Sequence, residues 1–325
     1  MAVYTPLGAE ELAALIANYD VGELVSAKGI AEGISNSNWL IETRRGDGGG
    51  ARFILTMYER RIDLADLPFF LGLLDHLAAR GCAVPATIHD RAGASLRSMD
   101  DKAVALIEFL PGVSPSAPTP RQAAEVGAAL ARVHLAAQDF GTRRADRLDP
   151  PANAALLARI GRERLAAIHP ALGAAPALAD DVVARWPYDL PASVIHSDLF
   201  PDNVLMLGEA VTGLIDFYFA CNGMMAYDLA VTHAAWAFDR TGGRLLKDVG
   251  GALLAGYDSV RPLLAEEREA LPVLAEGACL RFVASRAEDW LNPPQGGQVN
   301  RKDPAEFWRR WQIYRNEGAA AFARR

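Results

Sequence analysis

In the stretch VIHSDLFPDNVLMLGEAVTGLIDF, residues 194–217, polar groups interrupt runs of apolar residues: His196, Asp198, Asp202, Asn203, Glu209 and Asp216. His196, Asp198 and Asn203 stand at the spacing H-x-D-x-x-x-x-N, and Asp216 follows after one strand-like run, a turn and a second run. Phosphoryl transfer needs a set of this kind. A hydroxyl nucleophile must be oriented toward phosphorus and must shed its proton, and a carboxylate on a rigid loop can serve both ends; Asp198 is the candidate base. The Mg²⁺ that accompanies ATP is a hard cation that takes oxygen ligands, and the Asn203 carbonyl and the Asp216 carboxylate would reach it from the two arms of one hairpin. With Asp198 in the base's role, His196 reads as a brace of the loop. Glu209, beside Gly208, reads as a solvated turn carboxylate. An ordinary hairpin would have no need of these residue types at these intervals.

The elements that must position this set follow from periodicity. Residues 8–19 carry helical apolar spacing at Leu12, Leu15, Ile16 and Tyr19. ELVSAKGIAEGISNSNWLIET and ARFILTMYE read as strands joined by glycine-containing turns, with RRGDGGG as a hairpin loop. DLADLPFFLGLLDHLAARG reads as a helix with Asp63 as N-cap and Gly81 as its stop. VPATIHD, SLRSMD and KAVALIEFL supply further strands. PGVSPSAPTP, residues 111–120, breaks the composition, and Thr119 and Pro120 suit the N-cap and first position of a helix over RQAAEVGAALARVHLAAQ. Most of the remaining chain is helical in composition, apart from the strand-like VLML and VTGLIDF. The expected fold is α+β: a small antiparallel-sheet N-terminal lobe, residues 1–110, and a larger, mainly helical C-terminal lobe, residues 111–325, that carries the polar stretch.

A chain of 325 residues with 51% hydrophobic residues can bury two such cores. Its net charge of -7, with Lys and Arg scattered, offers no basic stripe to a nucleic acid. Cys82, Cys221 and Cys279 lie far apart with no CxxC spacing, which fits reduced thiols in a cytoplasm. The acidic N-terminus has no signal-peptide pattern and no run approaches about 18 apolar residues. The expectation is a cytoplasmic protein, monomer or homodimer, without membrane contact.

VIHSDLFPDNVL…GLIDF, followed by AYDLA at 226–230, resembles the protein-kinase-like small-molecule kinases, the aminoglycoside phosphotransferases and choline kinases, in which IDF or IDW stands where protein kinases have DFG. The resemblance implies a two-lobed kinase-like fold, ATP and Mg²⁺ as cofactors, and a structural role for Asp228 beneath the catalytic loop. It also implies that backbone groups of Glu108 and Leu110, in EFLPG, meet the adenine edge. In GIAEGISNSNW, Gly29, Gly33, Ser35 and Asn36, with Ser37, take the place of the phosphate loop. One departure stands out: many relatives carry Lys or Arg toward the phosphates on the next strand, where this chain has Thr56, so either another cation such as Lys28 or Arg52 assists or Mg²⁺ carries more of the load, and the basic contact stays unassigned.

More narrowly, the chain is similar to bacterial homoserine kinases of the kinase-like type, through GIAEGISNSNWLIET, FILTMYERRIDLADLPFFLGLLDHLAARG, HSDLFPDNVL and SRAEDWLN. That implies phosphorylation of L-homoserine to O-phospho-L-homoserine, a step of threonine biosynthesis. A zwitterionic acceptor needs an anion for its ammonium and a cation or amide donors for its carboxylate. Asp202 is the candidate anion; Arg281, Arg286 and Asp289, with Trp290, are further acceptor candidates at helical spacing, although Arg286 and Asp289 would also suit a surface ion pair. The loop LNPPQGGQVNRKDP could lid the acceptor site. Competing readings are a kinase for choline, an aminoglycoside or another amino alcohol, and a nucleotide-binding pseudokinase, for which Thr56 is the argument.

Overall fold

The computed structural model describes residues 7–30, 36–58, 63–99, 101–293 and 301–323. The chain divides into two compact units, Met1–Gly112 together with Thr212–Tyr218, and Val113–Val211 together with Phe219–Arg325.

The first unit is built on period-two alternation. It contains α1 (Ala9–Ile16), β1 (Glu23–Ile30), β2 (Asn36–Arg44), β3 (Gly50–Tyr58), α2 (Leu67–Ala79), β4 (Thr87–Ile88), β5 (Arg97–Met99) and β6 (Lys102–Glu108). The strands pair antiparallel in the order β1-β2-β3-β6-β4, with β5 on β6. Alternate residues Trp39 and Ile41, Phe53, Leu55 and Met57, and Val104 and Leu106 share one core with Leu12, Leu15 and Ile16 of α1. The expected helix over 63–81 begins with a short 3₁₀ turn capped by Asp63, whose carboxylate accepts from the Ala65 N–H at 3.1 Å, before α2 proper. Gly81, at φ 74°, adopts the left-handed conformation that ends it.

The second unit is helical. It contains α3 (Pro120–Ala136), α4 (Pro150–Ile160), α5 (Arg162–Ile168), α6 (Ala175–Ala184), β7 (Ala192–Ile195), β8 (Val204–Leu207), then after β9 (Ala210–Leu214) and β10 (Cys221–Met224) the helices α7 (Met225–Trp236), α8 (Lys247–Val260), α9 (Ala265–Leu291) and α10 (Pro304–Glu317). Thr119 and Gln122 form a reciprocal capping box at the start of α3. Every residue of α7 is buried, and α7, the middle of α9 and the aromatic face of α10 (Phe307, Trp311, Tyr314) share one core. The sequence foresees β8 and β9, which form a two-stranded sheet, but not the four-residue strands β7 and β10, which pair antiparallel with Ile195 opposite Cys221. No helix among the described residues is long and apolar enough to cross a membrane.

Candidate active site

The residues between β7 and β8 form a loop whose backbone groups find partners one after another. The N–H groups of His196 and Ser197 both donate to the Asp228 carboxylate at 2.7 Å. The Ser197 carbonyl accepts from Arg281. The Asp198 N–H donates to His196 Nδ1 at 3.3 Å, and its carbonyl accepts from the Phe200 N–H and from Asn203 Nδ2, each at 2.8 Å. The Leu199 carbonyl accepts from the Trp236 indole at 3.0 Å. Such an account leaves the loop little freedom. His196 is fully buried and works within it as a brace. Asp198 keeps 18% of its side chain exposed on this support.

Asp228 holds the loop from the first turn of α7, where the β7–β10 pairing delivers it. Its carboxylate also accepts from His134 Nε2 on α3 at 2.9 Å, and His134 Nδ1 lies 2.8 Å from the Tyr257 hydroxyl of α8. Burial alone would push the Asp228 carboxyl up, but the bond to His134 and the charges and backbone N–H groups around it outweigh that and hold it below its ordinary value. His134 and Tyr257 do not stand out in the sequence as site residues; the LARVH of the buried helix is the only signal there.

Of the acceptor candidates, the structure brings Arg281 to the loop and takes Arg286 elsewhere. Arg281 is 2% exposed; one nitrogen holds Ser197, and the other lies 3.9 Å from Asp198 Oδ1. Arg286 donates to Glu306 Oε2 at 2.8 Å and to the Asp303 carbonyl at 3.1 Å, and its guanidinium lies over the Phe307 ring, so it fastens α9 to α10. Asp289 is exposed on α9. Asp202, whose side chain is 67% exposed, stands 3.8 Å from Lys302 Nζ, and that ammonium lies over the Phe200 ring at 5.4 Å. Lys302 was not among the sequence candidates, because nothing about a single lysine in a polar loop marks it.

Asn203 stands immediately before β8, and Asp216 two residues after β9. Asn203 gives its amide N–H₂ group to Asp198, which leaves the carbonyl oxygen as an acceptor. Asp216 is exposed and sits at φ 67°, in the left-handed region that aspartate tolerates better than most residues. These are hard oxygen donors suited to Mg²⁺. No cluster of three or more His, Cys, Asp and Glu side chains that could hold a metal occurs among the described residues.

In the first unit, Gly29 lies in β1 opposite Trp39, and Asn36 begins β2, buried, with its carbonyl oxygen unpaired among the described residues. Gly33 and Ser35 lie outside the described residues, as do residues 294–300 of the lid candidate. Thr56 is buried in β3 and donates to Asn38 Oδ1 at 2.8 Å. Lys28 is exposed on β1; Arg52, exposed on β3, lays its guanidinium over the Phe109 ring at 4.3 Å. The Glu108 N–H donates to the Ala86 carbonyl at 2.9 Å, and its carboxylate accepts from the Ala86 N–H at 3.2 Å. Leu110 follows, half-buried, after the end of β6.

Comparison with known proteins places this arrangement. Residues 26–263 match the model of the phosphotransferase enzyme family. A homoserine kinase of Xanthobacter autotrophicus is 46% identical over 321 residues, covering 97% of this chain and 96% of its own. A homoserine kinase of Acidiphilium cryptum is 46% identical over 322 residues, covering 99% of both chains. Among solved structures, a spectinomycin phosphotransferase in complex with ADP and its antibiotic superposes with a TM-score of 0.67 at 15% identity, over 95% of each chain. A microcompartment-associated aminopropanol kinase does so with a TM-score of 0.60 at 18% identity, over 98% of this chain and 99% of its own. The fold is the protein-kinase-like one that these enzymes share.

Proposed function

This chain belongs to the phosphotransferase enzyme family, and we propose that it transfers the γ-phosphoryl group of ATP to the hydroxyl of L-homoserine, giving O-phospho-L-homoserine and ADP, a step of threonine biosynthesis. The observation that carries the reading is near-full-length identity of 46% to homoserine kinases, joined to a hydrogen-bonded loop that holds the partly exposed Asp198.

In this reading Asp198 accepts a hydrogen bond from the homoserine hydroxyl, turns its oxygen toward the γ-phosphorus, and takes the proton as the new P–O bond forms and the bond to ADP breaks. Asn203 and Asp216 are the residues that would hold Mg²⁺, which when bound neutralises phosphate charge. His196 and Asp228 keep Asp198 in place. Glu108 and Leu110 remain the candidates for the adenine edge through the Glu108 carbonyl and the Leu110 N–H, since the Glu108 N–H is spent on Ala86. Gly29, Asn36 and the stretch between them, with Gly33 and Ser35, are the candidates for the phosphates. Thr56 donates to Asn38 and is neutral, so the phosphate charge is left to Lys28, to Arg52 or to a larger share for Mg²⁺.

For the acceptor, Asp202 and Lys302 supply opposite charges beside Phe200, one for the ammonium and one for the carboxylate of a zwitterion. Exchanging an exposed ion pair for two pairs with substrate costs little, because such a pair is worth at most about 1 kcal/mol in water. Lys302→Met should raise KM for homoserine about tenfold while leaving kcat within a factor of about three, as loss of uniform binding does.

The deciding experiment measures ADP release with MgATP and L-homoserine, L-serine, L-threonine, choline or kanamycin in turn. Strong turnover with homoserine alone supports the proposal, and preference for another alcohol replaces the substrate. Silence across the panel despite ATP binding favours the pseudokinase. Asp198→Asn should cut kcat by about 10²–10⁴-fold and leave MgATP affinity nearly unchanged; retained turnover would remove Asp198 as the base.

A further inference from the structure

We propose that Arg281 is a positioning residue, which clamps Ser197 in the left-handed conformation and thereby aims Asp198, and that it does not bind the acceptor's carboxylate. The inference rests on Asp198 being the group that takes the proton.

Ser197 has φ 67°. The other non-glycine residues at positive φ among those described are Asp101 and Asp216, and aspartate enters this region more readily than serine does. A serine persists there only where its surroundings over-determine it. Here they do. The Ser197 N–H is held by Asp228 Oδ1 at 2.7 Å, and the carbonyl and the hydroxyl both accept from one nitrogen, Nη1 of Arg281. The peptide plane between Ser197 and Asp198 is therefore pinned at both edges, its C=O by Arg281 and its N–H by His196 Nδ1 at 3.3 Å. That plane sets the direction in which Asp198 leaves the backbone.

The setting of Arg281 suits a clamp better than a ligand site. It lies in the middle of α9, is 2% exposed, and has its guanidinium over the rings of Phe219 at 5.2 Å and Phe282 at 5.0 Å. Its second terminal nitrogen lies 3.9 Å from Asp198 Oδ1. With Nη1 bonded to Ser197 and only 2% of the residue exposed, Arg281 has no open face for an acceptor's carboxylate. Without it, the Ser197 carbonyl would be a buried acceptor that loses its partner, and the strained φ would lose its main support.

The test compares Arg281→Gln, Arg281→Lys and Arg281→Gln/Ser197→Gly with the wild type. For Arg281→Gln we expect kcat to fall about 100-fold, from misorientation of the base, with KM for homoserine and for MgATP each within about threefold. Backbone amides of residues 196–199 should exchange with solvent at least tenfold faster. Glycine takes positive φ without support, so Ser197→Gly in the Arg281→Gln background should recover kcat by about tenfold, a rescue that a general packing defect would not show. Arg281→Lys keeps one donor and should fall between, and it carries the same readouts if the glutamine variant does not fold. A rise of tenfold or more in KM for homoserine with kcat retained would overturn the proposal and return Arg281 to the acceptor site. Unchanged exchange at 196–199 would overturn it as well. If the wild type phosphorylates no homoserine, the functional reading fails, while the exchange measurement still reports on the clamp.

Discussion

At the scale of single residues, a buried ionisable group is either bonded into charge or held neutral, and a carboxylate of the first kind and a histidine of the second both lose stability in acid. Asp228 is of the first kind. His233, also on α7, is of the second: it is fully buried, its Nδ1 lies 2.6 Å from the Tyr314 hydroxyl, and its Nε2 has no partner among the described residues. A methyl group on Gly250 would come within 2.4 Å of that nitrogen, so there is no room for a counter-ion. Burial pushes the His233 pKa down to about 3. An unfolded histidine titrates near 6.5, so the unfolded chain takes up the proton first, and stability is complete above about pH 6.5 and falls as the pH drops toward 3. Between pH 7 and pH 5 this one residue should cost about 2 kcal/mol. Urea midpoints measured at the two pH values should differ in the wild type and differ markedly less in His233→Gln, which keeps a partner for Tyr314 but does not titrate. Equal differences in both proteins would mean that His233 is solvated.

At the scale of elements, what positions the site is a close crossing of α3 and α8. Gly127 of α3 lies against the Leu253 carbonyl and Gly256 of α8 against the Ala124 carbonyl, where added methyl groups would come within 2.1 and 1.9 Å. That approach sets Tyr257, next to Gly256, on His134, two turns beyond Gly127, and so reaches Asp228 and the loop. Gly256→Ala should force the helices apart, cost about 1–3 kcal/mol, lower Tm by about 3–10 °C and reduce kcat as well. Gly251→Ala on the same helix meets nothing within 4 Å and should be neutral or slightly stabilising, since alanine is the better helix former. Here the sequence shows its reach. The apolar rhythm of residues 121–138 announces a buried helix, yet Gly127 reads there only as a weak helix former, because its reason is a partner more than 120 residues away. The His196–Asn203 loop is legible for the converse reason: its side chains act within eight residues of chain. Arg281 stands out as a charged residue in an apolar helix, but its bond to Ser197 spans 84 residues, and no local pattern encodes that.

At the scale of the whole molecule, the chain is not cut once. After Val211 it returns to the first unit for the seven residues Thr212–Tyr218 and then leaves again. The Leu214 N–H donates to the Ala83 carbonyl at 2.7 Å, and Tyr218 sets its ring edge-on against Tyr58 and Phe70, with centroids 5.6 and 5.7 Å away. A composition break such as residues 111–120 can mark the first passage between units. The second lies inside the strand-like run VTGLIDFYF, where no proline-rich break marks it. Each unit has its own core, and the smaller one buries a smaller share of its surface, so it should open at lower denaturant. Peptide-resolved hydrogen exchange along a urea series should then give residues 36–58 and 102–108 an earlier midpoint than residues 265–291. The peptide 212–218 should open with residues 36–58, although the chain on both sides of it belongs to the later-melting unit. If 212–218 instead exchanges together with 192–207 and 221–236, its contacts with Ala83, Tyr58 and Phe70 do not hold it, and Asp216 within it is carried by the larger unit.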